Sequence, residues 1–204
     1  MTIQLADKIP AGGAQPWFNE SLPFSDYLAG NYFQPSVYYS AITANTVPAN
    51  FISYMPFVPR KTHTFTGIAI YNSTTSDSGD KIRMGIYDST DGAPDSLLVD
   101  GGEITLDATA ALRVSAISQE LIKDTLYYLA FINDAASTIF VISVTAFTVP
   151  YLPGSFGFPD GGWGANIKGS SYTESYTYGA LPASATPLFT AGVVSYLPFI
   201  LLKG

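Results

Sequence analysis

Cysteine is absent from this chain of 204 residues, and histidine occurs once, as His63. The absence of cysteine excludes a disulfide framework and thiolate chemistry. A single histidine cannot build a histidine-rich metal site, and no GxSxG-type motif accompanies it that would indicate a serine hydrolase. We therefore predict that His63 is an ordinary residue at the surface or on an edge strand.

Charge is scarce as well. Charged residues make up 12% of the chain, against roughly 25% in an average soluble protein. With nine Lys and Arg and a net charge of −7, the chain lacks the clustered cations that neutralise nucleic-acid phosphates or anionic lipids. Hydrophobic residues reach 47% and aromatic residues 14%. Such a composition is typical of a protein whose surface is partly buried by partners, although a well-covered monomeric β-protein is the alternative.

Long hydrophobic runs are missing too. The longest apolar run, residues 139–152, contains Ser, Thr and Pro150 and is too short to span a bilayer. The first residues show neither the basic region nor the apolar region of a signal peptide. The sequence therefore predicts no membrane insertion.

Residues 1–35 differ in texture from the rest of the chain. They mix Gly and Pro with aromatic side chains and follow neither a helical nor a strand period. Because a disordered tail is normally polar and poor in aromatics, we predict an extended arm that packs against its own domain or a neighbouring subunit. Aromatic side chains are frequent anchors at interfaces, and the candidate anchors for assembly are Trp17, Phe18, Tyr32 and Phe33.

Residues 36–204 are predicted to fold as an all-β domain, a jelly-roll-like antiparallel β-sandwich. Short segments rich in β-branched and aromatic residues recur at about 8–12-residue spacing, as in sandwiches. Ile82, Met84 and Ile86 alternate along one of them, and an Asp-Gly pair at 91–92 followed by proline predicts a turn. The only helical candidate lies around residues 118–122. The predicted strands cover residues 37–43, 51–58, 64–71, 81–88, 97–106, 111–117, 125–133 and 138–149, and the chain closes with a strand-like segment at residues 193–202.

Acidic residues cluster in the predicted loops. Carboxylates there could hold Ca²⁺, which takes six to eight oxygen ligands, and Asp77, Asp80 and Asp88 are the candidates. The alternative is turn chemistry, because Asp commonly hydrogen-bonds its own backbone in turns. No EF-hand spacing is present, so the sequence predicts no metal site with a recognised motif.

An aromatic loop, residues 151–178, is the candidate ligand site. Exposed aromatic rings can stack on the apolar face of a sugar, while Asn and Asp supply hydrogen bonds. The candidate glycan-binding residues are Trp163, Asp160, Asn166, Tyr172 and Tyr176. The alternative is that these aromatics pack the loop onto its own sandwich or onto a neighbouring subunit, as long ordered loops usually do.

Several segments carry a resemblance to a known class of proteins. They are MGIYDSTDGAP (84–94), DTLYYLAFIND (124–134) and YGALPASATP (178–187), preceded by NYFQP (31–35) and by the strand pair of residues 51–72. Together they resemble the β-sandwich modules of virion proteins from tailed bacteriophages, from about residue 32 to the C-terminus. The resemblance lacks the heptads or repeated shaft of long fibre proteins.

The resemblance implies a noncatalytic component of the tail fibre, tail or capsid surface, made in the bacterial cytoplasm and located in the virion. It implies no cofactor. The implied partners are other virion proteins and further copies of the chain, with a trimer favoured. Two roles stay open: attachment to a cell-surface glycan, and a decoration or cement subunit with contacts between subunits alone. A glycan-hydrolysing enzyme is a third and more distant alternative.

Overall fold

The described part of the chain is built from β-strands. A computed structural model describes residues 29–33, 41–73, 78–107, 109–143, 171–190 and 196–204. These ranges contain no helix long and apolar enough to cross a membrane. Their strands confirm the predicted all-β class. In chain order they are β1 (Tyr32–Phe33), β2 (Ala41–Val47), β3 (Phe51–Phe57), β4 (His63–Asn72), β5 (Lys81–Thr90), β6 (Ala93–Thr105), β7 (Ala111–Leu121), β8 (Tyr127–Asn133), β9 (Ser137–Ser143), β10 (Ser171–Ser175), β11 (Leu188–Thr190), β12 (Tyr196–Pro198) and β13 (Leu201–Lys203).

The strands form two antiparallel sheets. The first sheet has the order β1-β13-β4-β9-β12, with β2 paired to β9 and β7 paired to β4. The second has the order β11-β10-β3-β8-β5-β6. Side chains from both sheets meet in one core, to which Phe65 and Ile139 contribute from the first sheet and Met84 and Phe131 from the second. This arrangement confirms the predicted antiparallel sandwich, while the jelly-roll order of connections stays a prediction.

The β5–β6 hairpin forms where the sequence predicts a turn. Asp91 and Gly92 connect the strands with φ angles of 52° and 82°, and Thr90 pairs with Ala93. Positive φ at both central residues matches the twist of a two-residue hairpin, and Asp-Gly adopts it readily. Strand β6 accordingly begins at Ala93, four residues before the predicted start.

A second apolar core lies on the outer side of the second sheet. Strand β8 contributes to both cores, which explains why Tyr127–Asn133 is buried throughout and why residues 127–132 are all apolar. Strand β5 does the same, with its predicted face of Ile82, Met84 and Ile86 in the first core. The buried members of the second core are Ile52, Tyr54, Tyr87, Tyr128, Ala130, Ile132 and Leu181.

Residues 176–186, called the strap below, close the second core. The strap leaves β10 beside Asn50, whose carbonyl accepts the Tyr176 amide at 3.1 Å. It then crosses to β6, where the Leu97 amide donates to the Ala183 carbonyl at 2.9 Å. The main chain of the strap thus obtains part of its hydrogen bonds from the sheet that it covers, as a segment packed on an apolar surface requires.

The short helix predicted around residues 118–122 is wrong. Strand β7 continues to Leu121, which pairs with His63 of β4. From Val114 to Leu121 the more exposed and less exposed positions alternate, which is the period of a strand. Pairing with β4 supplies main-chain hydrogen bonds along this stretch, and that tertiary contact outweighs a weak local preference for helix.

Candidate functional site

The predicted glycan site falls only partly within the described residues. Trp163, Asp160 and Asn166 lie outside them. Tyr172 is on β10, where its ring meets the ring of Tyr128 edge-on at 5.6 Å between centroids. Both Tyr172 and Tyr176 pack against the second core, and the Tyr176 hydroxyl donates to the Ala180 carbonyl at 3.0 Å. These two rings therefore take part in packing, and sugar binding by the loop stays a prediction.

The calcium candidates have partners of their own. The Asp80 carboxylate accepts a hydrogen bond from the Ser137 hydroxyl at 3.0 Å, and the Asp88 carboxylate accepts the Ser96 amide at 2.6 Å. Asp77 lies outside the described residues. Across the ranges that the structure describes, no three acidic or histidine side chains come together in a way that could hold a metal ion.

Two of the four predicted anchors of the arm lie within the described residues. Trp17 and Phe18 lie outside the described residues. Tyr32 and Phe33 form β1, which pairs with β13 at the margin of the first sheet. The Phe33 side chain packs against the core between the sheets, whereas Tyr32 is 37% exposed. Phe33 is therefore an anchor within its own sandwich, and Tyr32 stays available at the surface.

His63 lies half-buried at the start of β4. Its ring meets the ring of Phe65 edge-on, at 5.0 Å between centroids. Phe65 belongs to the core between the sheets, so this contact ties the histidine to the first core. His63 thus has a packing role.

The first sheet carries an apolar outer surface. Tyr71 stands directly opposite Leu112 in the pairing of β4 with β7, so both side chains project on the same side. Phe140 meets the Tyr71 ring edge-on at 5.2 Å between centroids, which extends the surface to β9. Ala69, two residues before Tyr71, pairs with both Val114 and Leu201. We call this surface the apolar face; its large residues are Tyr32, Ile42, Tyr71, Leu112, Val114, Phe140 and Leu201.

The apolar face is exposed and weakly charged. Ile42 and Tyr71 are each 37% exposed, and Val114 is 40% exposed. Among the described strands, the charged side chains on this side are Lys203 and Glu120. Both pair with the first half of β4, away from the contact between Tyr71 and its aromatic neighbour. The centre of the face is therefore apolar.

The outer surfaces of the two sheets differ in how far the described segments cover them. The strap packs on the outer surface of the second sheet, where Leu181 is buried in the second core and Tyr178 and Ala185 pack against it. The outer surface of the first sheet keeps four large side chains more than a third exposed, namely Tyr32, Ile42, Tyr71 and Val114. Contiguous exposed apolar surface of this kind usually marks an interaction site.

A buried carboxylate joins the strap to the second sheet. Glu174 of β10 accepts the hydroxyl of Tyr54 at 2.8 Å. It also accepts the amide of Thr186 at 3.0 Å and the hydroxyl of Thr186 at 2.8 Å. Burial raises the pKa of Tyr54 well above its usual range, and the bond to Glu174 raises it further. The Tyr54 hydroxyl therefore stays protonated and donates to Glu174. Hydrogen bonds of Glu174 thus link β3, β10 and the strap.

Sequence reasoning did not find the apolar face. The signal was present in β4, where Ile68 and Ile70 alternate with Ala69 and Tyr71, so that both sides of the strand are apolar. Which side meets the other sheet depends on partners far along the chain, such as Phe140. A search for strands that are apolar on both sides, without a covering segment, would have indicated such a face.

Comparisons with known proteins leave the family open. No protein-family model matches the chain, and no curated protein matches it significantly.

Proposed function

We propose that this chain is a noncatalytic structural subunit of a bacteriophage particle, located on the exterior of the tail or capsid, and that it works by binding other proteins of the particle. The observation that carries the proposal is the apolar face. Its central side chains Tyr71 and Val114 are exposed, and its charged residues lie to one side.

Contact between proteins is the chemistry that fits this face best. Removing apolar surface from water is favourable by about 25 cal/mol per Å², and the cores of interfaces are depleted in charge and enriched in aromatic residues. Tyr71 and Phe140 supply the aromatics near the centre of the face. A sugar would need converging hydrogen-bond donors and acceptors, which Leu112 and Val114 do not offer.

The assignment to a phage particle is supported by the sequence resemblance. The segments at residues 84–94 and 124–134 that carry the resemblance form the end of β5 with its turn, and β8. Both strands lie side by side in the second sheet. The proposal includes synthesis in the bacterial cytoplasm and a homo-oligomer, with a trimer favoured.

Attachment to a host glycan is the alternative role, and Trp163 distinguishes the two. If the chain is a contact subunit, Trp163→Ala should weaken particles or leave them unchanged while host adsorption stays normal. Lost adsorption with intact assembly would instead favour attachment. The measurement is the adsorption rate constant together with the thermal stability of purified particles.

The particle assignment is tested by location. An antibody raised against the purified chain, used for immunogold electron microscopy of particles from a producing lysate, should label the tail or capsid exterior. Label on empty cell debris alone, with clean particles, would contradict the proposal.

A further inference from the structure

We infer that copies of this chain join head to tail, with β2 of one copy pairing antiparallel to β7 of the next. This inference rests on the proposed function, because it names a second copy as the partner at the borders of the apolar face. Among the described strands, β2 pairs with β9 alone and β7 pairs with β4 alone. The other edge of each strand therefore presents main-chain groups to which a further strand can add.

The two edges lie at opposite ends of one sheet. Asn72 of β4 pairs with both Ala111 of β7 and Ile139 of β9. Ile139 also pairs with Asn45 of β2, so these residues form a line across the sheet in the order β7-β4-β9-β2. Each pairing is antiparallel, and β2 and β7 consequently run in opposite directions. Copies arranged in a ring about an axis along the strands therefore bring the two edges together as an antiparallel pair.

The same line sets the register of the joint. Val114 lies three residues beyond Ala111, and Ile42 lies three residues from Asn45 on the same side of the line. A ring that continues the line from copy to copy places Val114 directly opposite Ile42 of the next copy. Both side chains belong to the apolar face and are 40% and 37% exposed, respectively. The joint thus covers both of them and makes the apolar face continuous between copies.

The main chain at these positions points to the free edges. The Ala111 amide donates to a side chain of β4 at 3.2 Å. Because amides alternate in direction along a strand, the Val114 amide points away from β4. On β2, the Thr46 amide donates to the Asn45 side chain at 2.7 Å. The Ile42 amide, four residues earlier, has the same direction and points away from β9.

Neither edge is protected against pairing along this stretch. Edge strands usually carry a proline, a projecting charge or a bulge that prevents a further strand from adding. Strand β2 contains no proline and no charged residue, and the irregularity in β7 lies beyond Ala116. Arg113, the charged residue within 111–116, is held by the Asp107 carboxylate and the Asn72 side chain, each at 2.8 Å. Like charges therefore do not meet in the joint.

A second copy is the partner that satisfies both edges at once. In a head-to-tail arrangement, each copy contributes one edge to its neighbour on either side. Such contacts close into a ring when the rotation between copies allows it, and a closed ring leaves neither edge open. The trimer favoured above is a ring of this kind.

Disulfide cross-linking between two variants tests the inference. Because the chain has no cysteine, Ile42→Cys and Val114→Cys each introduce one thiol, at an exposed position. Directly opposite residues of a hydrogen-bonded antiparallel pair have Cα atoms about 5.5 Å apart, which a disulfide can span. We expect a covalent two-chain product on a non-reducing gel when the two variants are mixed and oxidised, and none from either variant alone. Ile42→Cys mixed with Thr177→Cys, on the strap, is the control and should give no such product.

A proline variant tests the main-chain pairing separately. The Ala44 amide has the same direction as that of Ile42, so Ala44→Pro removes an edge-facing donor without touching the ladder between β2 and β9. We expect this variant to have the mass of one chain in light scattering. Ala44→Thr keeps the amide and is the matched control, which should keep the wild-type mass. Circular dichroism verifies that both variants fold.

Several outcomes overturn the inference. They are the absence of the product from the mixed variants, the same product from Ile42→Cys or Val114→Cys alone, and an unchanged oligomer in a folded Ala44→Pro variant. In that last case Tyr71→Glu, at the centre of the apolar face, separates the two proposals. Loss of association would keep the face as an interface and exclude the edges, whereas an unchanged oligomer would contradict the proposed function as well.

Discussion

Buried polar side chains hold the margins of this sandwich. Asn72 ends β4 in a fully buried position. Its side-chain oxygen accepts the Arg113 Nε at 2.8 Å and the Ala111 amide at 3.2 Å, while its side-chain nitrogen donates to the Thr109 carbonyl at 3.2 Å. One amide thus joins β4 to the start of β7.

We predict that Asn72→Ala lowers the free energy of unfolding by about 1–3 kcal/mol, because it leaves buried donors without their acceptor. Chemical denaturation followed by circular dichroism measures the change. Ser118→Ala, at an exposed position of β7, is the control and should stay within about 0.5 kcal/mol of the wild type. Equal effects of the two substitutions would contradict the role given to Asn72.

The buried tyrosines of the second core should make the folded protein less stable at alkaline pH. Burial, as the first cause, raises the pKa of Tyr54, Tyr87 and Tyr128 above 10, and raises the pKa of Tyr178 to about 12. A raised folded-state pKa contributes stability that is fully present below the unfolded value of about 10. That stability is lost as the pH rises through the folded value.

We therefore predict that the denaturant midpoint falls between pH 10 and 12. Absorbance of tyrosinate at 295 nm should show some of the fourteen tyrosines ionising only as the protein unfolds. If all tyrosines titrate together near pH 10 while circular dichroism stays native, the described burial of Tyr54, Tyr87 and Tyr128 is wrong.

The burial of a single polar residue also shows what the sequence alone cannot predict. Asn72 stands at the start of a stretch that reads as a polar loop, yet it is fully buried. Its partners Thr109 and Arg113 lie about forty residues further along the chain. No local pattern can reveal such a partner, because burial of a polar group depends on the tertiary arrangement that satisfies it.

At the scale of elements, the strap packs closely against a glycine of the second sheet. Gly85 lies in the middle of β5. A Cβ added there would come within 2.4 Å of the Leu181 Cδ1 atom and 2.7 Å of the Val99 carbonyl oxygen. Leu181 is buried in the second core, so glycine at this position lets the strap lie close to the sheet.

We predict that Gly85→Ala destabilises the protein by about 1–3 kcal/mol, as overpacking of a core usually does. It should also expose the strap, so that limited proteolysis within residues 176–186 becomes faster. Gly179→Ala is the matched control on the strap, because its added Cβ would meet nothing closer than the Thr177 carbonyl at 3.8 Å. Similar cleavage rates in both variants would contradict the fit at Gly85.

Elements with a strong local signal were predictable. The Asp91-Gly92 turn and the alternation of Ile82, Met84 and Ile86 are confirmed, since both follow from the chain's local chemistry. The end of β7 was not predictable, because residues 118–121 have no strong preference and their pairing with β4 determines the structure.

At the scale of the whole molecule, the sandwich is asymmetric. One outer surface is covered by the strap, and the other presents the apolar face. The composition indicated this outcome in part, because so apolar and weakly charged a chain is expected to bury surface against partners. It could not locate the surface, since Tyr71, Val114 and Phe140 come together only when β4, β7 and β9 pair.

The central claim is that copies of this chain associate through the apolar face. Light scattering coupled to size exclusion tests it most directly, with the wild type, Val114→Lys and the control Thr177→Lys on the strap. We predict a wild-type particle of several 21.8 kDa chains, with three favoured, and the same mass for Thr177→Lys. Val114→Lys should have the mass of one chain. A monomeric wild type, or an unchanged oligomer in Val114→Lys, would contradict the account.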